Sequence, residues 1–335
     1  MVIRARGLHL DFMLERIDSP RRREAAEFLI TRVSSARSLA IWADEEDIAR
    51  FILATAKHGP SRMLESLRLR CNLPDPLSTY SSSRRPVEPG CLPELDALLT
   101  ATPNIRELEL QCCTPNLAVS SERLRQLTSL TVDNSFVPYA QRSKVDIVAL
   151  LKATPALTRL RINLALSPIA TRYFTQSISA PTFGDPPYVE LPRLVSLDLS
   201  DDLCLITDVL SILHIPSMRR LEIQNTDYCA PSLAALEALV SWSASWLHPS
   251  DNAPLHSISV NVPRNRSETS AQRVTLHVSA AERYLELRLR LKSTQAQGFF
   301  DDMKRYQLLP FTCNEDVVVP SKSPPTNGSS TRADW

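Results

Sequence analysis

Two stretches of the sequence, "LLTATPNIRELEL" at residues 98–110 and "LLKATPALTRLRI" at residues 150–162, share one order of residue types. Each begins with Leu-Leu, continues with Ala-Thr-Pro, and ends with an apolar residue, two variable residues, Leu, a variable residue and an apolar residue. Proline cannot continue a helix, and it keeps the residue before it in extended conformations. We therefore expect each stretch to hold the end of a helix, a break at the proline and a short strand.

The strand part of this unit recurs along most of the chain. In each copy the Leu-x-Leu spacing places two apolar side chains on one face of a strand and a polar side chain on the other. The fourth positions of successive copies are 22 to 41 residues apart, so the unit repeats with variable insertions. The copies are 5–10, 36–41, 64–69, 105–110, 127–132, 157–162, 194–199, 218–223 and 255–260.

Segments with apolar residues at helical spacing lie between several of these strands. Pro103, Pro155, Pro192 and Pro216 each stand two residues before the first apolar position of a strand unit. We expect these prolines to end the preceding helix and to force an extended entry into the strand. The predicted helices are 21–33, 45–56, 93–101, 144–153, 207–213 and 232–242.

The alternation of strands and helices predicts an α/β fold with eight or nine parallel strands. A unit of about 30 residues buries about six or seven apolar side chains at roughly 2 kcal/mol each, whereas ordering its backbone costs about 1–2 kcal/mol per residue. One unit cannot fold alone, so its neighbours must cover its flanks. We expect an irregular solenoid, a horseshoe with the parallel sheet on its concave face and helices outside.

The residues of two units resemble a known family. Leu64, Leu67, Leu69 and Asn72 match the leucine-rich-repeat template in full, and residues 105–113 match it with cysteine in the asparagine position. With the proline before the strand and the irregular unit length, residues 1–262 resemble the repeat region of fungal F-box proteins of the basidiomycete type. The resemblance implies the substrate-recognition part of a ubiquitin-ligase receptor.

The F-box, a helical module that docks the adaptor of a cullin-type ubiquitin ligase, is not visible in the sequence. Residues 91–99, "CLPELDALL", resemble its opening, but they run directly into the strand unit at Ile105. We interpret them as an ordinary repeat helix. A cullin-type adaptor is therefore expected as a partner only if an F-box lies outside this chain.

The polar face of the strands is the candidate site for a protein partner. Mixed charges fit recognition of a protein surface better than recognition of a polyanion, which would require one sign. At a strand spacing of about 4.8 Å, Arg68 is expected beside Glu109 and Arg161 beside Asp198. The predicted partner-binding residues on the concave face are Arg68, Arg70, Glu107, Glu109, Arg159, Arg161, Asp198, Arg220 and Glu222.

Composition excludes several classes of partner and compartment. The 38 basic and 37 acidic residues give a formal charge of +1, which provides no general attraction to nucleic acid or to anionic membranes. No apolar run reaches the roughly 18 residues of a membrane span, and Asp11 and Glu15 do not fit a secretory signal. The seven cysteines contain no Cys-x-x-Cys and are expected to be reduced thiols. The sequence predicts a cytoplasmic or nuclear protein.

Catalytic motifs are missing from the sequence. The six glycines are too far apart for a phosphate-binding loop, and the six histidines have no ligand spacing. We therefore expect a non-catalytic interaction module with no cofactor and no metal. Two alternatives stay open: a stand-alone repeat scaffold with no ubiquitin link, and a hydrolase whose site is not recognisable.

Three local features allow two interpretations each. Asp198, Asp201 and Asp202 fit a cation site or, by preference, a polar turn after a strand. The arginines at 21–23 fit an anion site or, by preference, a solvated helix start. Trp242 and Trp246 fit an exposed anchor for a partner or, by preference, packing against neighbouring repeats.

The pattern changes after residue 262. Strict alternation at 274–278 and 284–291 predicts two half-exposed strands, and residues 298–309 predict a last helix. We assign residues 1–262 to the solenoid, 263–313 to a capping segment and 314–335 to a disordered tail.

Overall fold

The structure is a computed structural model, in which the backbone is described for residues 2–6, 9–15, 24, 27–28, 30–58, 61–71, 91–92, 95–115, 123–135, 147–164, 189–226, 232–247, 255–261, 272–280, 282–291 and 293–306. The arginines at 21–23 and the tail predicted at 314–335 lie outside these residues.

The strands and helices of the described residues form an α/β structure around one large sheet. The strands are β1 (Val2–Arg6), β2 (His9–Glu15), β3 (Ala36–Ala43), β4 (Ser66–Cys71), β5 (Cys91–Leu92), β6 (Glu107–Gln111), β7 (Thr114–Pro115), β8 (Ser129–Asp133), β9 (Arg159–Asn163), β10 (Val189–Glu190), β11 (Ser196–Asp201), β12 (Leu213–His214), β13 (Arg220–Asn225), β14 (Leu255–Asn261), β15 (Gln272–Ala280) and β16 (Arg283–Leu291). The helices are α1 (Glu45–Lys57), α2 (Leu95–Ala101), α3 (Ile147–Ala153), α4 (Leu203–Ile212), α5 (Leu233–Leu247) and α6 (Ser293–Arg305).

Twelve strands form the large sheet, in the order β1-β2-β3-β4-β6-β8-β9-β11-β13-β16-β15-β14. The nine neighbours from β2 to β16 all run parallel, which confirms the predicted number of parallel strands. Antiparallel strands flank this series, with β1 on one side and β15 and β14 on the other.

Two of the predicted strand units are wrong in position. Residues 5–10 are divided between β1 and β2, which pair antiparallel, so they do not form one parallel strand. Residues 255–260 lie in β14, which pairs antiparallel with β15 at the sheet edge. The place beside β13 is taken instead by β16, and β14 belongs by its pairing to the antiparallel group. The proposed domain boundary at residue 262 stays a prediction.

Apolar and polar residues alternate along each parallel strand, so one face of the sheet is apolar. The two aliphatic positions of each strand are buried and stack in register from β3 to β16, forming two continuous rows. Burying each such side chain stabilises the fold by about 1.5–3 kcal/mol. The first row is Leu39, Leu67, Leu108, Leu130, Leu160, Leu197, Leu221 and Leu285, and the second is Ile41, Leu69, Leu110, Val132, Ile162, Leu199, Ile223 and Leu287.

The entry into each strand is a turn, not the extended segment expected at the prolines. The amide two residues before the strand donates to the carbonyl three residues earlier, as in Leu157 N to Thr154 O at 3.2 Å. Proline has the φ angle that the second position of such a turn requires, which explains its place at 155 and at the three equivalent positions. The same bond recurs at Ile105, Leu127, Leu194 and Met218.

The strand starts are connected by a repeated pair of backbone hydrogen bonds. The carbonyl two residues before the first buried leucine accepts two amides of the next strand, as Thr158 O does from Val195 at 2.8 Å and Ser196 at 3.1 Å. Glu65, Arg106, Thr128 and Val195 accept pairs of amides in the same way. This repeated bonding fixes a register in which equivalent residues of successive units lie side by side.

Helices cover the apolar face of the sheet and close one hydrophobic core, which extends from Val33 to Met303. Helices α1, α2, α3, α4 and α5 confirm the predicted helices at 45–56, 93–101, 144–153, 207–213 and 232–242 within a few residues at each end, and α6 begins five residues before the predicted last helix at 298. No helix in the described part of the chain is long and apolar enough to cross a membrane.

Candidate protein-binding face

The opposite face of the parallel sheet carries the polar residue of each alternation, and we call it the polar face. From β3 to β16 it consists of three rows that cross the strands in register. The first row is Ser38, Ser66, Glu107, Ser129, Arg159, Ser196, Arg220 and Tyr284; the middle row is Ala40, Arg68, Glu109, Thr131, Arg161, Asp198, Glu222 and Glu286; the third row is Trp42, Arg70, Gln111, Asp133, Asn163, Ser200, Gln224 and Arg288.

All nine residues predicted to bind a partner lie on this polar face. Arg68, Glu109, Arg161, Asp198 and Glu222 share the middle row. Glu107, Arg159 and Arg220 lie in the first row, and Arg70 lies in the third. The structure therefore places them on one continuous surface, since backbone register aligns their strands.

The two predicted neighbour pairs are ion pairs across adjacent strands. Arg68 Nε lies 3.1 Å from Glu109 Oε2, and Arg161 Nε lies 3.2 Å from Asp198 Oδ2. Exposed pairs of this kind contribute roughly 0–1 kcal/mol to stability. Their main consequence is geometric, because each carboxylate fixes the direction of an arginine side chain.

Two further arginines of the first row are also paired. Arg159 Nη2 lies 3.6 Å from Glu107 Oε1, across the intervening strand β8. Arg220 Nε donates to Glu222 Oε1 of its own strand at 2.6 Å. The polar face thus carries a series of separate ion pairs between β4 and β13.

Glu286 is the charged residue of the middle row that was not predicted from the sequence. Its side chain is nearly buried, and it accepts hydrogen bonds from Arg288 Nε at 2.6 Å and from Tyr284 Oη at 3.1 Å. His277 Nδ1 of β15 lies 2.9 Å from the same tyrosine oxygen. The Leu285-Glu286-Leu287 triplet has the Leu-x-Leu pattern of the repeat, and this signal could have identified the residue.

Two carboxylates of the middle row, on either side of Glu222, have pKa values shifted in opposite directions. Burial raises the pKa of Asp198, and the Glu222 carboxylate adds to this effect against the opposing charge of Arg161. Burial also acts to raise the pKa of Glu286, but the hydrogen bonds from Arg288 and Tyr284 outweigh it and the pKa lies below the ordinary value. Perturbed carboxylates are more frequent at functional sites than elsewhere on a surface.

A cation–π pair lies in the third row on strands β3 and β4. The Arg70 guanidinium lies over the Trp42 ring, 3.9 Å from the ring centroid. Tryptophan and arginine are enriched among the residues that carry most of the energy of protein interfaces. Arg70 is among the residues predicted from the sequence to bind a partner, whereas Trp42 is not.

The polar turn preferred for Asp198, Asp201 and Asp202 is confirmed for Asp202 alone, because the other two lie within β11. The preferred packing of the two tryptophans agrees with the structure. Asp202 caps α4, accepting from the Cys204 amide at 2.7 Å, and Asp201 is buried. The Trp242 and Trp246 rings stack at 6.2 Å between centroids and pack on the core. No group of three or more potential metal ligands occurs in the described part of the chain. Cys71, Cys112 and Cys113 are buried, and Cys204 is exposed.

No model of a protein family matches the chain, and no curated protein matches its sequence.

Proposed function

We propose that this chain is a non-catalytic protein-interaction module that binds a protein partner on the polar face of its parallel sheet. The observation that supports this proposal best is the alignment of three polar rows across eight strands in one register. Binding residues often lie on a rigid scaffold, and a sheet fixed by a continuous core provides a long one.

We also propose an architecture for the chain and a cellular role. The chain is a leucine-rich-repeat-like solenoid with the polar face on its concave side. It serves as the substrate-recognition part of an F-box-like ubiquitin-ligase receptor in the cytoplasm or nucleus. The stacked leucine rows and the repeated turn before each strand support the repeat architecture. The ubiquitin link is supported by the sequence resemblance alone.

The partner-binding proposal is tested by reversing four charges together: Arg68→Glu, Glu109→Arg, Arg161→Glu and Glu222→Arg. A partner is first identified by proximity labelling, and its affinity for the purified chain is then measured. We expect affinity to fall strongly while the melting temperature stays nearly unchanged, because surface charges matter little for folding and misplaced like charges matter at an interface.

A matched control reverses an exposed ion pair on helix α1, Glu46→Arg with Arg50→Glu. This control should leave both affinity and melting temperature unchanged. Intact affinity after the four-charge reversal would show that the partner binds elsewhere, on the helices or on the antiparallel strands.

The ubiquitin link is tested separately by co-purification with the ligase adaptor. If an F-box lies outside this chain, the chain alone does not bind the adaptor and the full gene product does. Failure of both to bind would favour the second candidate, a stand-alone repeat scaffold.

A further inference from the structure

The charged groups of the polar face are arranged at two heights above the sheet. In five of its ion pairs the arginine side chain is 50 to 66% exposed, whereas the carboxylate side chain is 9 to 48% exposed and always less than its partner. Among the ion pairs elsewhere in the described part of the chain, four show the same order, and Arg50–Glu46 and Arg219–Glu282 show the reverse. The outermost groups of the polar face are therefore guanidinium ions. The five pairs are Arg68–Glu109, Arg159–Glu107, Arg161–Asp198, Arg220–Glu222 and Arg288–Glu286.

The arginines keep donor groups that can face a partner. Arg68 and Arg161 contact the carboxylates of Glu109 and Asp198 through Nε. A guanidinium has four more N–H groups on its terminal nitrogens, in the planar fork that binds a second carboxylate through two parallel bonds. The carboxylate beneath holds the guanidinium in place, so less side-chain entropy is lost when a partner binds.

The carboxylates beneath the arginines also determine which anions the polar face can bind. Within the three rows, the arginines and the carboxylates are equal in number, so the polar face has no net formal charge. A polyanion such as nucleic acid is bound mainly through a sustained positive potential, which this balance removes. Single carboxylates can still reach the outer guanidinium groups at short range. The charged residues of the rows are Arg68, Arg70, Arg159, Arg161, Arg220 and Arg288, and Glu107, Glu109, Asp133, Asp198, Glu222 and Glu286.

We propose that the polar face binds an extended acidic segment of a partner protein, whose carboxylates meet this outer layer of arginines. The inference rests on the proposed protein-binding function and adds the chemistry of the partner. Arg68 and Arg161 are three strand spacings apart, about 14 Å, which an extended chain covers in about four residues. Acidic residues four positions apart lie on the same side of an extended segment and can meet both arginines.

The test uses three fluorescein-labelled peptides of equal length that differ only at every fourth position, which holds Glu, Gln or Lys. Binding to the full chain is measured by fluorescence anisotropy. The Glu peptide is expected to bind at least about tenfold more tightly than the other two, since a charge-assisted hydrogen bond changes affinity by about that factor.

Two variants of equal size locate the contact. Replacing the outer layer, Arg68→Gln with Arg161→Gln, should weaken binding of the Glu peptide by about tenfold or more. Replacing the carboxylates beneath, Glu109→Gln with Asp198→Asn, should make binding of the Glu peptide tighter, because the loss of two repelling negative charges outweighs the lost positioning of the arginines. Circular dichroism and melting temperature verify that both variants are folded.

Three results would overturn the acidic-segment proposal: no preference for the Glu peptide, a preference for the Lys peptide that depends on Glu109 and Asp198, or equally tight binding of single-stranded DNA. The Lys result would leave the proposed protein-binding function in place with a basic partner. The proposed protein-binding function is tested separately with the identified partner. It would be wrong if no substitution on the polar face changed the affinity of that partner.

Discussion

At the scale of single residues, two buried threonines explain why the letters Ala-Thr-Pro repeat. Thr102 Oγ1 donates to Leu98 O at 2.6 Å, and Thr154 Oγ1 donates to Leu150 O at 2.9 Å. Each hydroxyl follows a helix and satisfies one of the carbonyls that the helix end leaves without an intrahelical donor. Thr55 of α1 is equally buried, but its Oγ1 has no hydrogen-bond partner in the described part of the chain.

This difference predicts opposite effects of the same substitution. Thr154→Val should lower the free energy of unfolding by about 1–2 kcal/mol, because it removes a buried donor and leaves the Leu150 carbonyl without it. Thr55→Val should be neutral or stabilising, because it removes a buried hydroxyl that forms no bond. Urea denaturation of both variants measures the difference, and an equal loss in the two would refute this explanation of the repeat.

The two shifted carboxylates of the middle row predict opposite pH dependences. A lowered pKa means that Glu286 stabilises the fold above its unfolded pKa, and that this contribution is lost as pH falls through the folded pKa. A raised pKa means that Asp198 contributes its stability at low pH and loses it as pH rises through the folded pKa. The free energy of unfolding of the unmodified chain, relative to that of Glu286→Gln, should therefore increase with pH. Relative to that of Asp198→Asn, it should decrease with pH. Denaturation between pH 3 and 7 measures both differences, and the same pH dependence for the two would contradict the opposite pKa shifts.

At the scale of the strand, alternation separates residues that stabilise the fold from residues that can bind. Leu160 is buried in the first leucine row, and Arg161, next to it, faces outward. Leu160→Ala should cost about 2–5 kcal/mol through lost burial and the cavity it leaves. Arg161→Ala should cost less than about 1 kcal/mol, because it removes only an exposed ion pair. Chemical denaturation measures both, and similar costs would mean that the assignment of faces in β9 is wrong.

The same alternation determined how much could be predicted from sequence. The two-residue period of Leu67-Arg68-Leu69 assigns a face to each side chain, so the nine predicted site residues are found on one surface. The period does not specify which strand lies beside which. Residues 255–260 fit the unit as well as others do and follow β13 along the chain, yet β16 pairs with β13 because an antiparallel group is formed beyond it. Glu286 was missed for this reason, since its place depends on pairing between distant segments.

At the scale of the whole molecule, the order of strands in the sheet differs from their order in the chain only at its C-terminal side. Strand β16 is interior, hydrogen-bonded to β13 and to β15, whereas β14, which precedes it in the chain, is a terminal strand of the sheet. An edge strand leaves half of its amide and carbonyl groups without a partner strand, and such strands open at low free-energy cost.

Hydrogen exchange should therefore follow sheet order and not chain order. We expect the amides of β16 to exchange as slowly as those of β9 and β11 in the middle of the sheet, because opening any of these strands disrupts the continuous core. The amides of β14 should exchange faster than those of β16, and β1 at the opposite edge provides the matched comparison. Mass spectrometry of peptic fragments covering 255–261 and 283–291 measures this difference under one set of conditions. Equal or greater protection of β14 would mean that the parallel series continues through it, and Glu286 would then no longer belong to the middle row of the polar face.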